Sequence, residues 1–172
     1  MIPSKCLSIG MWVAGLIVFA LIVYLHAPLA IAAVPGGISE HQAAPDAATV
    51  NAIQNAWAQA GLLDQAAIAM IGDLIFIGIY GAGCVLTGLH FRARGCRVLR
   101  MLGRLTLWSG AIFLFTDYAE TICQFIQLMQ AAGNDRLAAI ASGVRPVKML
   151  SFIAAFFAVI AALIADWRAR SV

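Results

Sequence analysis

The sequence predicts an all-α protein, a four-helix transmembrane bundle with an outer amphipathic interfacial helix between its first and second spans. Three observations predict it: long runs without a charge, too few charged residues for a water-facing surface, and a lopsided placement of the basic ones. The chain has 172 residues, 63% of them hydrophobic and 11% charged, with a mean hydropathy of +0.92. Soluble domains carry roughly a quarter charged residues, so this chain lacks the polar surface to cover a globule.

A span needs about 20 consecutive apolar residues to cross the hydrocarbon core as a helix. From Cys6 to Gly37 there is no charged residue if His26 is counted neutral. Four windows satisfy the length, near residues 7–26, 66–90, 105–127 and 149–165, within a single integral membrane domain covering 1–172. A closed β-barrel would instead need short alternating segments, and these runs are apolar on every side. A signal peptide has a shorter apolar stretch, so the first run reads as a retained helix whose exit is marked by Tyr24, His26 and Pro28.

The basic residues set the orientation. Lys5, Arg92, Arg94, Arg97, Arg100, Arg104, Arg168 and Arg170 flank one end of the spans, and Arg136, Arg145 and Lys148 the other, eight against three of the 11 in all. The positive-inside rule then places both termini and the arginine-rich connection in the cytoplasm. That connection suits anionic lipid head groups better than nucleic acid. Trp108 and Trp167 fall where interfacial belt aromatics belong.

The longest outer connection runs from Ala27 to Gln65. Its Val34-Pro35-Gly36-Gly37 is a turn, and Pro45-Asp46 a helix start. Val50, Ile53 and Trp57 then recur at helical spacing, which predicts the interfacial helix, with Trp57 as its membrane anchor and Gly61 as its end. In the second outer connection Gly133-Asn134-Asp135 reads as a turn with an N-cap, 136–142 as a short helical stretch, and Pro146 as a helix start or a kink. Gly78-x-x-x-Ala82 and Cys84-x-x-x-Gly88 offer small faces for close helix contact.

The chemistry is concentrated in three acids. Asp73 lies about two turns into the second span, and Asp117 and Glu120 lie in the third. An ionised residue at the centre of a span costs about 2.5–3.5 kcal/mol on insertion scales. Asp117, Glu120, Thr121, Gln124 and Gln127 share one face of the third helix, and Asp73 shares a face of the second with Tyr80. Lys148, at the outer end of the fourth, supplies one positive charge against three negative ones. The expected site is therefore Asp73, Tyr80, Asp117, Glu120, Thr121, Gln124 and Lys148 in the outer half of the membrane. A proton or a cationic ligand would balance it.

The remaining motifs exclude more than they add. The four cysteines include no CxxC pair, which argues against a disulfide generator. His26 and His90 stand at opposite depths, so a pair of haem ligands is not supplied. With no ligand spacing among the histidines, no metal and no cofactor are expected. No nucleophile accompanies the acids, so an enzyme has least support and no catalytic residue is assigned.

Gly37-Ile38, the helix ending in Trp57, Asp73-Leu74-Ile75-Phe76 with Tyr80, Asp117-Tyr118-Ala119-Glu120, and the basic Lys148 together resemble an uncharacterised family of small bacterial four-helix integral membrane proteins. That family carries Asp-x-x-Phe-x-x-x-Tyr in helix two and Asp-x-x-Glu-Asn in helix three. Here Thr121 stands where Asn is usual. The resemblance covers about two-thirds of the chain and implies the fold, the acidic site and a bacterial inner membrane, but no activity.

Two readings follow. One is a binding or transport module whose acidic site takes a proton or a cationic, amphiphilic ligand. The other is a structural or assembly subunit whose polar cluster locks helices together. The expected partners are membrane lipid, a second membrane protein or further copies in a homo-oligomer, with no nucleic acid.

Overall fold

The structure, a computed structural model, describes residues 2–94 and 96–169. Arg170, counted above among the cytoplasmic basic residues, lies outside them. Among the described residues there is no strand beyond an isolated Ile31–Val34 bridge. The helices are α1 (Lys5–His26), α2 (Ile38–Ala43), α3 (Ala47–Gln59), α4 (Leu63–Arg92), α5 (Arg97–Met129) and α6 (Asp135–Arg168), with a 3-10 turn at Ala27–Leu29. Four of them, α1, α4, α5 and α6, are long and apolar enough to cross a membrane.

Local chemistry sets the ends. The Ser4 hydroxyl accepts from Leu7 N ahead of α1, and Pro28 enters the 3-10 turn that follows it. Asp46 caps α3 by accepting from Thr49 N at 2.8 Å. Gly61 then ends that helix at φ +70°, a left-handed position natural to glycine. Asn134 Oδ1 accepts from the first amides of α6, Arg136 N and Leu137 N. Ala131 adopts φ +48° after α5 without being glycine.

Two boundaries depart from the sequence reading. The third span extends to Arg97–Met129, beyond 105–127, and the fourth to Asp135–Arg168, beyond 149–165. The expected stretch at 136–142 is thus continuous with the fourth span. Pro146 lies inside α6, neither starting nor ending it. A helix needs apolar residues only where lipid surrounds it, so its polar ends run on unmarked. Lys148 is consequently well inside a helix of 34 residues, and it is buried.

The chain divides into two compact units. The first comprises Met1–Ile17, Ile77–Phe115 and Val147–Val172, and the second Val18–Phe76 and Thr116–Pro146. In the first unit, α1 and α4 meet backbone to backbone. A Cβ on Gly15 would come within 2.6 Å of Tyr80 Cα, and one on Gly83 within 2.6 Å of Trp12 N. The Cys84-x-x-x-Gly88 face meets α5 at Gly110 and Leu107. Small residues permit this approach, in line with the sequence reading. Lys5 of α1 makes an ion pair with Asp166 of α6.

The second unit carries α2 and α3 over a core of its own. Leu29, Val34, Ile38, Val50, Ile53 and Trp57 pack with Ala66, Ala69 and Met70 of α4, Leu128 of α5 and Ala138 of α6. Trp57, an interfacial anchor in the sequence reading, is instead 0% exposed, and its Nε1 donates to Leu29 O at 3.0 Å. The α3 start is clipped to the α5–α6 turn: Ala47 N donates to Asp135 Oδ1, and Gly133 N to Asn51 Oδ1.

Candidate functional site

Alongside an apolar core, large apolar side chains are exposed and several charged or amide side chains are buried. Ile17, Leu21, Ile75, Leu150 and Phe157 are exposed, whereas Asp73, Asp117, Glu120, Thr121, Gln124, Gln127 and Lys148 are all buried. Soluble proteins bury such charged groups rarely and only with partners.

In the second unit, the α5 polar residues recur every three or four positions and so share one face. Thr121 Oγ1 donates to Asp117 Oδ1 at 3.5 Å. Gln127 Nε2 donates to Cys123 O, and its Oε1 accepts from Asn134 N at 2.9 Å, joining the stripe to the start of α6. Gln124 is different. It is 2% exposed, and its Nε2 has no hydrogen-bond partner among the described residues. An unmade buried donor costs roughly 1–3 kcal/mol.

On α4, Asp73 receives a partner that the sequence reading did not assign. His26, at the end of α1, places Nε2 3.1 Å from Asp73 Oδ2. The contact is a hydrogen bond whose donor and acceptor are set by the imidazole tautomer. The only available signal was a histidine ending one apolar helix opposite an acid near the start of the next. Tyr118 OH, one residue beyond Asp117, donates to Leu74 O and fastens α5 to α4 beside that pair.

Tyr80 and Lys148 belong to the first unit. The Tyr80 ring packs edge-on to Phe113 at 5.2 Å and beside Phe152 at 4.9 Å, and its hydroxyl donates to Phe152 O at 3.4 Å. Lys148 is buried on α6, and its carbonyl accepts from Ser151 Oγ. Asp73, Asp117, Glu120, Thr121 and Gln124 therefore fall in one unit, and Tyr80 and Lys148 in the other.

Among the described residues outside the four long helices, three groups have pKa values displaced by their surroundings. His41, on α2, has its pKa lowered to about 4 by burial. It stacks on Trp57 at 5.2 Å, with Gln54 Nε2 3.3 Å from its Nε2. Its Nδ1 and Gln54 Oε1 have no partner among the described residues. Gln54 completes the buried Val50, Ile53, Trp57 face at i+4, so the same periodicity could have found it. The Asp46 carboxyl is held down by the Thr49 amide and hydroxyl. The Cys96 thiol is held down by the Leu99 and Val98 amides at the start of α5.

Among the described residues no group of three His, Cys, Asp or Glu side chains could hold a metal ion. The fold and the buried stripe define an all-helical chain with four helices able to cross a membrane. It matches no family profile, no curated protein and no solved structure.

Proposed function

We propose that the chain is a multi-pass protein of a bacterial inner membrane, with both termini cytoplasmic and α3 on the outer face. In this reading it is a binding or transport module related to the small four-helix family named above. The α5 stripe and the Asp73–His26 pair form its polar site, which takes a proton or a cationic, amphiphilic ligand. Ionisable groups inside a membrane are functional by default expectation.

One observation carries the reading: the buried, unpartnered amide of Gln124 between Glu120 and Gln127 on the polar stripe. A donor in that position calls for an acceptor, and the carboxylates on the same stripe favour a ligand of positive rather than negative charge. An amphiphile bearing both an ammonium and an oxygen acceptor satisfies them together.

The second reading is an assembly clasp. The Asp73–His26, Tyr118–Leu74 and Gln127–Asn134 contacts, all of which tie helices within the second unit, favour it. Thermal unfolding in a neutral detergent, with and without dodecylammonium or dodecyl sulfate, separates the two. A binding module gains stability with dodecylammonium only, and Glu120→Gln and Gln124→Leu erase that gain. A clasp shows no selective gain, and Glu120→Gln alone lowers its melting temperature.

A further inference from the structure

The basic end of the long helices holds cations in two conditions. Lys5 is engaged by Asp166, and Arg94 Nη2 lies 3.0 Å from His90 Nε2, whose ring also meets Pro3 O. Arg97, Arg100 and Arg104 are exposed. Among the described residues they make neither an ion pair nor a side-chain hydrogen bond. Their spacing of three and four brings the three guanidiniums to one face of α5. With Met101 they line a groove of about 510 Å³.

The same face continues as an apolar track. Trp108 is 66% exposed and Phe115 76% exposed, one and three turns beyond Arg104. Eleven residues of helix rise about 16 Å, close to half of a hydrocarbon core of about 30 Å. Three cations, then an indole, then a phenyl ring along one stripe match a phosphate, an interfacial glycerol and an acyl chain in that order. Guanidinium forks suit phosphate oxygens.

We propose that Arg97, Arg100 and Arg104 bind the phosphate of an anionic phospholipid, with one acyl chain lying along Trp108 and Phe115. The proposal rests on the membrane placement above but not on the polar stripe of the other unit. It also names one class of lipid, where the basic connection alone asks only for negative charge.

Native mass spectrometry of the detergent-solubilised chain, titrated with phosphatidylglycerol or phosphatidylcholine of matched chains, tests it. Phosphatidylglycerol adducts should exceed phosphatidylcholine adducts at least tenfold. The triple variant R97Q/R100Q/R104Q should fall to the phosphatidylcholine level. The control R92Q/R168Q, which also loses exposed positive charge, should keep its adducts. Inorganic phosphate in excess should not displace the lipid, and a short-chain phosphatidylglycerol should bind at least tenfold more weakly.

Equal binding of the two lipids, full retention by the triple variant, or equal loss in the control overturns the site. Displacement by inorganic phosphate transfers it to a soluble anion and overturns the lipid. Membrane placement is read separately, by whether the chain stays in the pellet after carbonate extraction. Loss from the pellet sinks that placement, whatever the adducts show.

Discussion

The two units are built from the same four long helices, yet their interiors are held by different forces. In the first unit, glycines let α1 and α5 approach the α4 backbone, and the Tyr80, Phe113 and Phe152 rings pack edge-on or tilted against one another. In the second, side chains carry polar contacts: Asp73 to His26, Thr121 to Asp117, Gln127 to Asn134. Helices in lipid gain nothing from the hydrophobic effect on meeting one another, so only close packing and polar bonds remain to join them. The first unit shows the closest backbone packing, and the second adds its polar bonds to an apolar core around Trp57. Contact geometry is unforgiving of added volume, whereas polar bonding responds to protons and to ligands. A polar interior is thus where a binding role is compatible with the fold.

The largest effect that would sharpen this contrast belongs to the second unit. His41 is neutral when buried, and the unfolded chain takes up its proton near pH 6.5. Stability is therefore complete above that pH and declines as pH falls from about 6.5 to 4, where the folded protein also protonates. At about 1.4 kcal/mol per unit, the loss reaches roughly 3 kcal/mol. Thermal unfolding across this range should show it, and His41→Gln should flatten the profile. A parent profile as flat as the variant's would remove His41 from the account.

Next comes Gly83→Ala in the first unit. The added methyl meets the Trp12 backbone at 2.6 Å, and overpacking of this kind costs about 2 kcal/mol. The melting temperature should fall equally at every pH. A pH-dependent loss would erase the distinction between the units.

Asp73→Asn is expected to be milder, about 1 kcal/mol, since an amide can still bond to the His26 ring. Thermal unfolding should place it between the parent and Gly83→Ala, and a larger loss than Gly83→Ala would mean that the carboxylate itself is required. The smallest effect is a gain. Ala131→Gly relieves a left-handed alanine at the end of α5 and should raise stability by about 0.5 kcal/mol. A lower melting temperature there would mean that the Ala131 methyl packs.

How much of this was legible follows from what periodicity and hydropathy can carry. Uncharged length marks the four long helices. Spacing and capping mark α3 from Ala47 to Gln59 and the cap at Asn134. The α5 stripe is legible because five polar side chains on an apolar helix define a face. His26 is not. An evenly apolar α1 has no face to read, so nothing in the sequence turns its histidine toward Asp73. Pro146 leaves a start and a kink equally open in the sequence, and its place inside α6 removes only the first. Trp57 reads as an anchor because its class favours interfaces, but the decisive fact is the carbonyl of Leu29, distant in sequence.

The pairing of His26 with Asp73 also orders events in time. The two residues are separated by 47 positions, and a ribosome adds about 5–20 residues per second. His26 therefore leaves the ribosome roughly 2–10 s ahead of Asp73. When α4 follows α1 off the ribosome, Asp73 arrives after its partner has been made, so the acid can find its hydrogen bond as soon as the two helices meet.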